Sequence, residues 1–177
     1  MSLQDIAVAV KRVEAALRRR PEFSLHDDAP ATARWESGTR VVASHADGMK
    51  MLTDMPREIG GSGDQVTPGW LFRAGLASCS ATSIALAAAT EGIELTALEV
   101  RVSSRSDTRG LLGMTGDNGL PVYAGPGDMQ LHIRIGATAI SSERLRALVE
   151  SGMRRSPMPN ALQTATPLAL HIDTDVN

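Results

Sequence analysis

T-P-G-W-L-F-R-A-G-L-A-S-C-S-A-T-S-I-A-L-A-A-A-T-E-G, from Thr67 to Gly92, is the stretch on which the rest of the chain depends. It reads as one long helix. Thr67 suits the N-cap and Pro68 the first helical position, where no N–H is needed. Gly92 falls where a left-handed residue closes a helix. The span is roughly 35 Å at 1.5 Å per residue, long enough to cross a small domain. Between Trp70 and Thr90 the one charge is Arg73. A helix apolar or small nearly all round is expected to be buried on every side. The length nearly fits a membrane span, but Ser78, Ser80, Thr82 and Ser83 crowd its middle. Gly75, Ala77, Ala81, Ala85 and Ala87 to Ala89 point instead to close packing against a sheet or a helix, so no membrane partner is expected.

Composition bounds the rest. The chain has 177 residues, 42% of them hydrophobic, enough for one domain with a real core. Aromatic residues are only 3%, so aliphatic side chains and eight Met must fill it. A formal net charge of −2 argues against a nucleic-acid partner held through phosphates. Cys79 is the only cysteine, which excludes an intrachain disulfide. The first residues lack the apolar run of a signal peptide, and a cytoplasmic protein is expected.

Outward from the long helix, residues 3–19 form an amphipathic helix with Ile6, Val10, Val13 and Leu17 at helical spacing. Arg18 to Arg20 close it, and Pro21 stops it. The expected organisation is an N-terminal helical extension over 1–21 and a single domain over 30–177. His26, Asp27 and Asp28 match no metal-ligand spacing, and no metal is expected. Thr32–Glu36, Thr39–Ser44 and Met49–Thr53 read as strands joined by tight turns at Ser37-Gly38 and Asp47-Gly48. Residues 55–66 form a Gly-rich loop with none of the features of a phosphate cradle. Leu95–Ser103 and Met129–Ile135 alternate as half-buried strands, with His132 on the polar face. Residues 104–127 carry six Gly and two Pro and read as an irregular excursion. Ser141 caps a helix to about Arg154, ended by Pro157 and Pro159. Pro167–Asp173 alternates as a last strand, Leu168, Leu170 and Ile172 inward and His171 outward. Short connections imply antiparallel sheets with helices set apart from them, an α+β fold.

Cys79 is the candidate for chemistry. A free Cys often only packs, and reactivity requires a stabilised thiolate. The sulfur lies beyond the first helical turn, so a cation would have to come from another segment. Arg40, Arg154 and Arg155 are available; Arg73 points about 120° away. Phe72, Gly75, Leu76, Thr82, Ser83 and Leu86 share the face of Cys79, a roomy lining with hydroxyls on one side. No Ser-His-Asp elbow, H-E-x-x-H or C-x-x-C is present, and no cofactor is expected.

The segment Pro68, Leu71, Ala74 and Leu76 to Thr82 resembles the signature of the OsmC/Ohr family, the osmotically inducible protein C and organic hydroperoxide resistance proteins. Trp35 to Arg40 with Asp47-Gly48, Gly60-Gly61, Gly92 to Leu95, Arg109 to Gly113 and Ser156-Pro157 extend the likeness over roughly 30–174. The resemblance implies an OsmC-like fold, an intertwined homodimer and a peroxidatic cysteine at Cys79. It implies a thiolate-stabilising arginine at Arg40, oriented by a glutamate after the proline at the helix start. It also implies a second, resolving cysteine in a Cys-Pro pair and dithiol reductants. Two positions depart from this: Gly69 stands where the glutamate would, and Ser156 where the second cysteine would. Serine cannot form the disulfide that shields a sulfenic acid, and glycine cannot hold an arginine. Glu58 or Asp64 could replace the carboxylate. Two functions remain. One is a one-cysteine reductase of small organic hydroperoxides using an external thiol. The other is a non-catalytic protein of the same fold binding a small apolar ligand at the dimer interface.

Overall fold

A computed structural model describes residues 2–174. The elements are α1 (Leu3–Arg19), β1 (Thr32–Ser37), β2 (Arg40–Ser44), β3 (Lys50–Thr53), α2 (Pro68–Glu91), β4 (Leu95–Arg105), α3 (Thr108–Leu111), β5 (Gly127–Ala137), α4 (Ser142–Arg154) and α5 (Pro157–Gln163). β1, β2 and β3 form one antiparallel sheet in that order, and β4 pairs with β5 in a second. The fold is α+β, with α2 as its axis: α1, β4, α4 and α5 all pack against it.

The ends of α2 follow from local chemistry. Thr67 Oγ1 accepts the Trp70 N–H at 3.1 Å, and Pro68 opens the first turn. Gly92 adopts φ 67° and ψ 24°, which a side chain would oppose. Its N–H and that of Ile93 then satisfy the last carbonyls, at Ala89 and Ala88. The alanines of the preceding turns are buried. Ala87 and Ala88 cluster with Ile93, Leu145 and Leu148, under Leu95, Ile135, Ala137 and Ile140. The core therefore lies at the C-terminal half of α2, and the Cys79 half is left more open.

Three expectations need correction. α2 is not buried on all sides: Phe72, Gly75, Ser78, Thr82 and Leu86 stay exposed along one stripe of the protomer. The four elements pack on its other faces; Phe72 and Gly75 look into an open cavity under the first sheet, and Ser78, Thr82 and Leu86 face outward. Pro157 and Pro159 do not merely end α4. Pro suits a first helical turn, and here both begin α5. Residues 167–173 form no strand. Leu168, Leu170 and Ile172 are 95%, 82% and 74% exposed, because no strand edge of the same protomer meets them. The excursion over 104–127 holds the single turn α3 and a bridge between Thr115 and Pro121.

α4 packs closely against α2. A Cβ built on Gly152 would lie 2.8 Å from Ile84 Cα, and that backbone cannot yield. Alanine normally improves a helix by up to about 1 kcal/mol over glycine. Here overpacking, typically about 1–3 kcal/mol, outweighs that gain. Gly152→Ala is expected to lower the urea midpoint with an unchanged m-value; a raised midpoint would show that the two helices can separate freely.

Candidate functional site

The chain reverses at the α4–α5 junction, and this sets the site. Gly152 touches Ile84; four residues on, Ser156 reaches Cys79, five residues back along α2. The end of α4 thus runs antiparallel to α2 and delivers the Ser156-Pro157-Met158-Pro159 turn to the sulfur. Ser156 Oγ lies 3.4 Å from Cys79 Sγ, and the Met158 N–H is directed at the same sulfur with N 3.5 Å away. Ser156 is fully buried and Cys79 half-buried.

This pair of contacts has a local cause. Ser156 is the N-cap of α5, yet its hydroxyl makes no capping bond. Proline at 157 and 159 removes the first and third N–H groups of the helix, leaving that of Met158. Among the described residues, Cys79 is the one hydrogen-bond partner of the Ser156 hydroxyl. Asn160 Nδ2 fixes the turn from behind, donating to the carbonyls of Ser156 at 2.8 Å and Arg154 at 3.1 Å.

An apolar cavity of about 480 Å³ lies between the first sheet, α2 and α5; Cys79 is not itself in its lining, which comes as near as Gly75 and Leu76, one helical turn back, and Met158. Val41 and Ala43 of β2, Phe72, Gly75 and Leu76 of α2, and Met158 of α5 are among its lining. Phe72 and Leu76 were expected there. Thr82 and Ser83 are not among the lining residues; they lie more than one turn beyond.

Arg40 is engaged elsewhere. Its guanidinium donates to Asp64 Oδ1 at 2.6 Å and Ser62 Oγ at 2.8 Å, with Asp54 Oδ2 at 3.5 Å. Strand alternation sends Val41 and Ala43 into the cavity and Arg40 to the opposite face. Within the described protomer Arg40 therefore forms no hydrogen bond with Cys79. Arg155 is also occupied, bonding Ser151, and Arg73 reaches Ser104 at 3.4 Å. Gly69 offers no side chain, and the carboxylate beside Arg40 comes from Asp64 instead. Glu58 makes no ion pair among the described residues. No metal-binding group of His, Cys, Asp or Glu occurs among those residues either.

The sequence pattern matches this geometry over much of the chain. The family model for OsmC-like protein matches residues 61–171, more than half of the chain. The chain belongs to the OsmC-like family. No curated protein sequence matches it. Its fold is that of solved OsmC-like structures. An OsmC-like protein from Mycoplasma pneumoniae is 20% identical at TM-score 0.64, covering 78% of this chain and 89% of that one. An organic hydroperoxide resistance protein OsmC from Legionella pneumophila is 24% identical at TM-score 0.54, covering 79% and 92%. An organic hydroperoxide resistance protein from Elizabethkingia anophelis is 20% identical at TM-score 0.57, covering 79% and 91%. Within this OsmC-like chain the apolar α2 is a core helix of the fold, despite a length and composition fit to cross a membrane.

Sequence reasoning missed Asp54, whose side chain is 4% exposed. It accepts from Ser62 Oγ, from Thr39 Oγ1 at 2.6 Å, and from the Ser62 and Met55 N–H groups at 3.0 and 2.8 Å. These bonds, that of the Ser62 hydroxyl foremost, hold its carboxyl far below the usual carboxylate range. Asp64 is lowered too, by Ser62 and then by Arg40. A carboxyl depressed by folding stabilises above its unfolded value, about 3.9, and loses that contribution as pH falls toward the folded value. Asp54→Asn is therefore expected to lower stability by a constant amount down to about pH 4. Below that pH the gap to wild type should close. Urea midpoints from pH 7 to pH 2 test this, and a gap that widens in acid would refute it.

Proposed function

We propose that this OsmC-like protein is a cytoplasmic peroxide-stress protein in which Cys79 reduces small organic hydroperoxides, with an external thiol as electron donor. The observation that carries the reading is the sulfur itself. It is half-buried, with a hydroxyl and an N–H at hydrogen-bonding distance, and its neighbours Gly75 and Leu76, one helical turn back, and Met158 line an apolar cavity. An apolar cavity admits the organic part of a hydroperoxide and disfavours water. The Cys79 thiolate attacks the distal peroxide oxygen; an S–O bond forms, the O–O bond breaks, and the leaving alkoxide takes a proton to become an alcohol. Cys79 is left as a sulfenic acid. A first external thiol condenses with it, releasing water and forming a mixed disulfide. A second external thiol attacks that disulfide, restores Cys79 and leaves as the oxidised pair.

Ser156 buries one side of the sulfur. Oxidant and reductant therefore share one approach, and the alcohol leaves before the thiol enters. This gives substituted-enzyme kinetics, seen as parallel double-reciprocal lines. A homodimer fits the same reading. A second copy would cover the open stripe of α2 and pair with the alternating Leu168, Leu170 and Ile172, with residues 1–21 as an extension of the domain. The competing reading is a non-catalytic protein holding an apolar ligand, favoured by the cavity lining and by the engagement of Arg40 elsewhere.

Consumption of an alkyl hydroperoxide in the presence of a dithiol separates the two. Wild type is expected to turn over and Cys79→Ser to be inactive; equal rates would remove Cys79 from the chemistry. Ser156→Cys should form a disulfide with Cys79 after one equivalent of hydroperoxide, seen as a loss of two hydrogens in intact mass. A Ser156→Cys protein that keeps both thiols free would contradict the observed pairing.

A further inference from the structure

Ser156 reads as a lost cysteine when only its position is considered. Its surroundings say more. The side chain is fully buried, and a buried hydroxyl ordinarily carries a hydrogen bond. At an N-cap the expected partner is a backbone N–H of the first turn. Here the third-position N–H does not exist, because that residue is Pro159. The second-position N–H, of Met158, is aimed at Cys79 Sγ. The hydroxyl turns to the same atom, 3.4 Å away. The turn thus brings a hydroxyl and an N–H onto one sulfur and holds them there through Asn160; once the sulfur carries no proton, as in a thiolate or sulfenate, the hydroxyl can only be the donor.

We infer that Ser156 is a catalytic residue that protects the oxidised form of Cys79, in place of the disulfide it cannot make. The inference rests on the reading of Cys79 as a peroxidatic nucleophile. Overoxidation requires the sulfenate sulfur to attack a second hydroperoxide through a lone pair. The S–O bond of a sulfinic acid forms, the second O–O bond breaks, and a second alcohol leaves. A hydroxyl hydrogen-bonded to the sulfur ties up one of the lone pairs that would attack. The external thiol instead attacks the sulfur as an electrophile, from the cavity side, so reduction is not obstructed. A dedicated hydroxyl can therefore do in a one-cysteine cycle what rapid disulfide formation does in a two-cysteine cycle.

The test uses the full chain, cumene hydroperoxide at increasing excess, and dimedone to trap sulfenic acid, read by intact mass. Wild type is expected to accumulate the trapped adduct, with the sulfinic form (two oxygens) appearing only at large excess. Ser156→Ala removes one oxygen atom and leaves every backbone bond in place. It should reach the sulfinic form at about ten-fold lower hydroperoxide, the factor expected for losing a hydrogen bond to a charged group. Ser156→Thr retains the hydroxyl and should return the dependence toward wild type. Equal hydroperoxide dependence in wild type and Ser156→Ala overturns the inference, as does Ser156→Thr matching Ser156→Ala. Should Cys79 gain no oxygen in any of the three proteins, the peroxidatic reading fails as well. Trapping in wild type with unchanged overoxidation leaves that reading intact and rejects only the role of Ser156.

Discussion

The contact on which the structure depends is the close approach of α4 to α2 at Gly152 and Ile84. Two helices can come this near only where one of them lacks a Cβ. The approach fixes the register of everything that follows in the chain. With Gly152 pinned against Ile84, the single turn that follows in the chain carries Ser156 to Cys79. The glycine thus acts at a distance of only four residues, by setting where the Ser-Pro-Met-Pro turn lands. The ion pair between Arg144 and Glu91, at 2.7 Å, fixes the opposite end of the same helix pair.

The polar groups around β2 and the Cys79 half of α2 include two separate systems. Arg40 belongs to a cluster with Asp54, Ser62 and Asp64, which ties the end of β3 and the Gly-rich loop to the start of β2. Cys79 belongs to a neutral system made from a hydroxyl and one N–H. The first holds two carboxylates and one guanidinium, a net charge of −1, and its excess negative charge is met by hydroxyl and backbone N–H donors from Thr39, Ser62 and Met55. The second depends on geometry and not on charge. Strand alternation keeps them apart, because one side of β2 faces the cavity and the other the loop.

Much of this was legible in the sequence, where local chemistry decides it. The caps of α2, α1 up to Pro21, the hairpins at Gly38 and Gly48 and the cap at Ser141 each follow from residues within one turn of the feature. The family signature around Cys79 was legible because its order and spacing are local as well. Pairings over long sequence distances were not. Nothing local marks Asp54 as the acceptor for Thr39 and Ser62, since its partners lie on both sides of it in the chain. Pro157 and Pro159 signal a stop and a start equally well, and only the docking of α5 on α2 decides for a start. Alternation at 167–173 is real in the sequence, yet it predicts a strand only if an edge is within reach.

Core and site divide α2 between them, and the division is physical. Ala87 and Ala88 are small enough for neighbours to close over them, giving the dry cluster with Leu145 and Leu148. Gly75, Leu76 and Phe72 face a sheet whose inward residues, Ala33, Val41 and Ala43, are too short to fill the gap. A tightly packed site end would leave no room for an organic molecule at the sulfur. A loosely packed core end would let α4 drift, and with it Ser156. The same helix can serve both needs because the small residues at its two ends are met by different neighbours: long aliphatic side chains at one end, short ones at the other.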